Sequence, residues 1–220
     1  MIDTAIENGY ENIIFCDSDD SFTNNRIEGC IAMLEEADMC VNDVHLTDEN
    51  NKLIFENYLG KRIDNGKQVI FSDIETSNFC GMSNTAVRAS AVPAVRFDNS
   101  LIAVDWFLFS VMLLENKSCI FTSDFATCYR QHGSNTAGFS VVSEQRVKKA
   151  IEVKAAHYKE LQKVYPAFRK SAEFFCTLNK KAVSPQFIAE YMKKFPCNKA
   201  FPLWWEEAAY FEGELHDPTY

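Results

Sequence analysis

No apolar run in these 220 residues approaches the ~20 that cross a bilayer, and the first residues show no signal-peptide pattern. The eight cysteines, at positions 16, 30, 40, 80, 119, 128, 176 and 197, form neither a CxxC pair nor a regular framework. That spacing argues against a disulfide scaffold and for reduced, mostly buried thiols in a cytoplasmic protein. Internal repeats and low-complexity tracts are missing as well. Basic charge is scarce in the front half: residues 1–110 hold 7 Lys+Arg against 19 Asp+Glu, and residues 111–220 hold 15 against 12. A general nucleic-acid binder needs a basic track for phosphates, so that class is set aside. The basic residues gather at 144–199, 13 against 5 acidic. Solvated helix faces account for them most simply, with peripheral contact to the anionic inner face of a membrane as the alternative.

What is present is a globular composition, 47% hydrophobic and 13% aromatic, long enough for one domain or a domain with an appendage. The segment MIDTAIENG reads as a short helix with Ile2 and Ile6 on one face and Gly9 as its C-terminal cap, but nothing caps its start. A strand ending at Cys16 follows. RIEGCIAMLEEA has helical spacing at Ile27, Ile31 and Leu34, and DMCVNDVHLTD alternates as a strand does. GMSNTAVRASAV predicts a turn and a further element stopped by Pro93, and WFLFSVMLLEN predicts a helix buried on most sides. SCIFTS and FATCYRQHG read as two more strands. From Ser143 the pattern becomes helical, with Val147, Ile151, Tyr158, Leu161 and Tyr165 on one face and Pro166, Pro185 and Pro202 as punctuation. The expectation is an α/β body over 1–140 and a helical C-terminal extension over 141–220.

Three constellations carry chemistry. NIIFCDSDDSF places Asp17, Asp19 and Asp20 directly behind an apolar strand. Crowded carboxylates repel unless something positive sits among them, and a divalent cation with open positions for phosphate oxygens suits such a loop. The strand raises this above a bare DxD, because aspartates also serve turns and caps in great numbers. Asp105 stands before the apolar helix, where it is either a plain N-cap or a general base at a cleft. YRQHGSN delivers Arg130 and His132 two residues apart on a strand, hence on one side: a phosphate-binding guanidinium beside a candidate metal ligand.

Taken together, FCDSDD at a strand end, Asp105-Trp106 opening a helix and YRQHGSN some 25 residues on resemble the family 2 glycosyltransferases of the GT-A type, over about residues 1–140. The resemblance implies a GT-A-like mixed sheet flanked by helices and an inverting, metal-dependent transfer from a nucleotide-sugar donor, a UDP-sugar first. The acceptor would be a saccharide or a lipid-linked hydroxyl, in surface polysaccharide or glycoconjugate synthesis. It implies Asp17 and Asp19 as ligands of Mn²⁺ or Mg²⁺, with His132 as a further metal or diphosphate contact. Asp20 and Arg130 would meet the donor diphosphate. Asp105 would deprotonate the acceptor, and Gly81, Ser83, Asn84 and Trp106 would lie near the sugar. The family usually carries roughly one more βαβ unit ahead of the DxD, so the expectation is a fragment or truncated gene product, or a chain that completes its site another way. It also often has Glu-Asp where this chain has Val104-Asp105. The alternatives are a haloacid-dehalogenase-type phosphatase with Asp17 as nucleophile, Asp19 as acid/base and Ser21 as the small hydroxyl residue, and an inactive glycosyltransferase remnant. A calcium loop through Asp17, Asp19, Ser21, Thr23, Asn25 and Glu28 is the weakest, because Phe22 stands where the turn needs glycine.

Overall fold

The computed structural model describes residues 2–132, 142–194 and 200–209. Its elements run α1 (Ile2–Glu7), β1 (Asn12–Ile14), β2 (Ser21–Phe22), α2 (Arg26–Leu34), β3 (Met39–Thr47) and β4 (Leu53–Phe55). There follow α3 (Phe71–Ile74), β5 (Thr85–Arg88), α4 (Val104–Leu114), β6 (Cys119–Arg130), α5 (Glu144–Val164), α6 (Arg169–Lys181) and α7 (Pro185–Lys194). The α/β class with a mixed sheet flanked by helices is the one expected. Two compact units divide the chain: residues 2–75, 79–95 and 108–132 in one, and 76–78, 96–107, 142–194 and 200–209 in the other.

The first unit is built on one sheet with strand order β1-β5-β3-β6-β2, and β4 also pairs with β3. Its centre is the parallel pair β3–β6; β1–β5, β5–β3 and β6–β2 are antiparallel. β3 is buried on both faces rather than alternating, as a central strand must be. Its two fully buried polar residues, Asn42 and Asp43, both find hydrogen-bond partners. Asp43 accepts the backbone N–H groups of Val44, Leu59 and Gly60 at 2.7, 2.8 and 3.0 Å. Asn42 donates to Thr127 Oγ1 at 3.1 Å. The two strands expected around residue 120 are one 12-residue strand, β6. A bulge separates its halves: Asn42 pairs with Thr122, but Asp43 pairs with Ala126. The extra residues break the period-2 pattern, which is why the sequence reads as two strands.

β1 is half-buried and closes one end of the sheet, so the aspartate loop follows an edge strand. On α2 the buried face is Arg26, Cys30 and Leu34, whereas Ile27 and Ile31 are 50% and 44% exposed. Those three share the i, i+4, i+8 spacing of one helix stripe, and the stripe begins with an arginine. The seven cysteines of the described residues are free thiols, of which Cys16 alone is exposed.

The second unit packs around α5, which Ser143 caps by accepting the Arg146 N–H at 3.3 Å. Val147, Ile151, Tyr158 and Leu161 are buried as expected, and Tyr158 stacks on Phe175 at 5.3 Å. Tyr165 lies just past the helix end and is half-buried. Some of the basic residues have partners within the unit. Arg146 pairs with Glu207, and Lys163 pairs with Glu160 at 2.6 Å. Lys154 is buried on the carbonyls of Thr76 and Ala208. Among the described residues no helix is long and apolar enough to cross a membrane.

Candidate functional site

The carboxylate loop of the first unit is held from three directions. A turn closes it, with the Asp20 N–H donating to the Asp17 carbonyl at 3.2 Å. Ser83, at the turn before β5, takes the Asp17 N–H on its hydroxyl at 3.5 Å and donates that hydroxyl to Asp20 Oδ2. From the far side of the sheet order, the end of β6 supplies the Arg130 N–H to Asp20 Oδ1 at 2.8 Å. His132, two residues beyond, sets Nε2 2.7 Å from Asp19 Oδ2. Residues 113 positions apart thus meet at one spot, and the pairing of this loop with the YRQH segment is present.

The three aspartates have different surroundings. Asp19 is pulled below the usual carboxylate range, first by the His132 hydrogen bond and further by the nearby charges of His132 and Arg130. Asp17 is pushed up, by loss of water to its neighbours and then by repulsion from Asp19, although its side chain is exposed. Its bonds within the protein are made by the backbone, through the N–H to Ser83 and the carbonyl from Asp20. The carboxylate itself accepts no hydrogen bond among the described residues. Asp20 is pushed up by burial, against the opposing effect of Ser83 and the Arg130 N–H. Both of its oxygens are engaged, so Asp20 holds the loop; the expected donor contact is corrected to a supporting role.

A crowded carboxylate without a protein donor is the place where a cation would relieve the repulsion. Among the described residues no cluster of three or more His, Cys, Asp or Glu could hold a metal ion unaided. Asp17 and Asp19 by themselves do not make a closed protein cage. His132 sets its Nε2 toward Asp19, where it orients that carboxylate.

The residues expected near a sugar are placed otherwise. Asn84 is 0% exposed and spends its amide on the carbonyls of Asn42 and Phe79, at 2.9 and 3.0 Å. The buried Gly81 gives its N–H to Asn84 Oδ1 at 2.8 Å. Both build the turn that presents Ser83. In the second unit Trp106 is fully buried, stacked on His157 at 3.9 Å, which is a core position and not a sugar platform. Asp105 lies inside α4, which starts at Val104, so it is a first-turn carboxylate and not the N-cap. Asn78 holds its Oδ2 at 3.4 Å. A carboxylate there still gains from the positive end of the helix.

One residue escaped the sequence reading. Arg26 is 0% exposed and bonds Asn42 Oδ1 at 2.7 Å, the Phe15 carbonyl at 3.1 Å and the Ser83 carbonyl at 3.0 Å. The signal was available in the Arg26, Cys30, Leu34 spacing, but a stripe counted by apolar residues passes over an arginine.

No protein-family model matches this chain, and no curated protein matches it. Among solved structures it is similar to residues 1–349 of S. aureus TarS in complex with UDP-GlcNAc, at 14% identity and a TM-score of 0.46. The match covers 87% of this chain and 63% of that one, so the chain spans less than two thirds of that neighbour's length.

Proposed function

We propose that this chain is a glycosyltransferase that binds a nucleotide-diphosphate sugar at the Asp17-Ser18-Asp19 loop and passes the sugar to an acceptor hydroxyl with inversion. The observation that carries this reading is the 2.7 Å bond between Asp19 and His132, which couples the strand-end carboxylates to a segment bearing Arg130. Asp17 and Asp19 would hold Mn²⁺ or Mg²⁺, which when bound acts as a Lewis acid on the departing diphosphate. Arg130 offsets charge on the same group. His132 keeps Asp19 ionised and aimed. In the transfer, the bond from the anomeric carbon to the diphosphate oxygen breaks and the nucleoside diphosphate leaves with the electron pair. A new bond forms from the acceptor oxygen to that carbon, and the hydroxyl proton goes to a general base, for which the resemblance names Asp105.

The calcium-loop alternative is contradicted by local structure: Ser21–Phe22 is a strand paired with Thr127 and Cys128, not part of a helix–loop–helix. Nothing favours the phosphatase reading, since its proposed acid/base Asp19 is committed to His132. Nucleotide release from a panel of nucleotide sugars, starting with UDP-GlcNAc and with Mn²⁺ present, tests the transfer reading. Calorimetry of Mn²⁺ with and without UDP tests the loop. Binding by wild type that tightens with UDP and is lost in Asp19→Asn supports it; equal binding by both proteins overturns it. Specific diphosphate binding without any turnover would select the inactive-remnant reading.

A further inference from the structure

We infer that Arg26 is a positioning residue for the carboxylate loop, clasping both of its ends from beneath; this rests on the transfer reading for its consequence, though not for its geometry. On the entry side its guanidinium holds the Phe15 carbonyl, two residues before Asp17. On the exit side it lies over the Phe22 ring, 4.1 Å from the centroid and two residues after Asp20. Its third grip, on the Ser83 carbonyl, is shared with Thr127 Oγ1 at 2.7 Å. Ser83 in turn bears on Asp17 and Asp20 through its hydroxyl. One side chain therefore fixes the span over which Asp17 and Asp19 are displayed.

The choice of arginine is costly. A fully buried guanidinium loses its hydration, and here Nη1 has no hydrogen-bond partner. Its direct partners are neutral oxygens and a ring, none of which a buried aliphatic residue would need. Its Nη2 holds two carbonyls on different segments while Nε reaches Asn42 Oδ1, so one rigid planar group ties three segments in a fixed geometry that a flexible ammonium does not reproduce. It also places a positive charge near the loop, with Asp20 near enough for the two charges to sense each other. Packing alone explains neither property.

Hydrogen exchange of Arg26→Lys, read by mass spectrometry, tests the clasp without reference to any substrate. The expected result is exchange at least ~10-fold faster over residues 15–22, with β3 and the α5 core protected as in wild type. Wild-type protection of the loop, or an equal loosening everywhere, overturns the inference. Should Arg26→Lys not fold, Phe22→Leu, which removes only the ring under the guanidinium, is expected to shift the same peptide in the same direction; unchanged exchange there overturns it. With an active donor in hand, Arg26→Lys is expected to raise the donor KM by ~10-fold and leave the acceptor KM unmoved. Were wild type inert toward every nucleotide sugar, the transfer reading would fall while the exchange result still decided Arg26.

Discussion

Replacing His157 by phenylalanine should remove most of the acid sensitivity of the helical unit. His157 is 1% exposed, stacked on Trp106, and neither ring nitrogen has a hydrogen-bond partner. Burial, and secondarily the charge of Lys154, hold its pKa down to about 3. An unfolded histidine titrates near ~6.5. Between those values the unfolded chain carries a proton that the folded chain refuses, so stability falls as pH drops through ~6.5 and keeps falling toward the folded value of about 3. Linkage puts the loss from this one group at about 2 kcal/mol between roughly pH 7.5 and pH 5. Phenylalanine keeps a flat ring against Trp106 and carries no proton. It also removes two buried polar atoms without partners, so the His157→Phe change should be neutral or stabilising by up to about 1 kcal/mol near pH ~7.5. Asp17, Asp20 and Asp43, whose carboxyls are pushed up, act in the opposite sense, but they are common to both proteins and cancel in the comparison. All three tryptophans lie in the helical unit, so urea unfolding followed by tryptophan fluorescence reports it directly. Identical pH dependence of the two proteins would refute the reasoning.

Asp105→Asn gives up the carboxylate's interaction with the positive end of α4 and should cost about 0.3–1 kcal/mol in urea stability, while slowing sugar transfer by ~10²–10⁴-fold; full transfer rate in this variant removes Asp105 from the mechanism. His132→Ala frees Asp19 from its hydrogen bond and should weaken Mn²⁺–UDP binding measured by calorimetry, by less than Asp19→Asn does. Gly29→Ala puts a Cβ 2.3 Å from the Phe125 ring, and overpacking of about 1–3 kcal/mol should outweigh the ~1 kcal/mol helix gain, read as a lower urea midpoint.

How far the sequence carried the fold depends on what kind of signal each element leaves. The aspartate loop and the Arg130–His132 segment were legible because several chemistry-bearing residues sit within a few positions, and because a strand must deliver its end to one edge of the sheet. β3 and β6 were legible as strands but not in their details. Asn42 and Asp43 break the apolar run of β3, and the bulge after Thr122 splits the pattern of β6, yet each is reconciled by partners distant in sequence. The position of β1 at the sheet edge could not be read at all, since strand order is a property of pairing and not of any one strand.

The site residues divide along the same line. Asp19 and His132 find each other because the chemistry of each demands a partner. Trp106, Asn84 and Gly81 were placed by analogy of position, and the fold uses them for packing and for a turn. Arg26 is the converse case. A charged residue on a helix is ordinarily assigned to solvent, and only the oxygens gathered around it, from Phe15, Asn42 and Ser83, make burial tolerable. Those oxygens come from three separate segments, so no window of sequence contains the reason. The crowding of three aspartates within four positions is thus partly relieved within the chain itself: His132 and Arg130 bear on Asp19, and Arg26 lies near Asp20. Asp17 is left as the carboxylate without a protein counter-charge. That asymmetry makes Asp17 the carboxylate at which an added cation is expected, to be read by calorimetry as a larger loss of Mn²⁺ binding in Asp17→Asn than in Asp20→Asn.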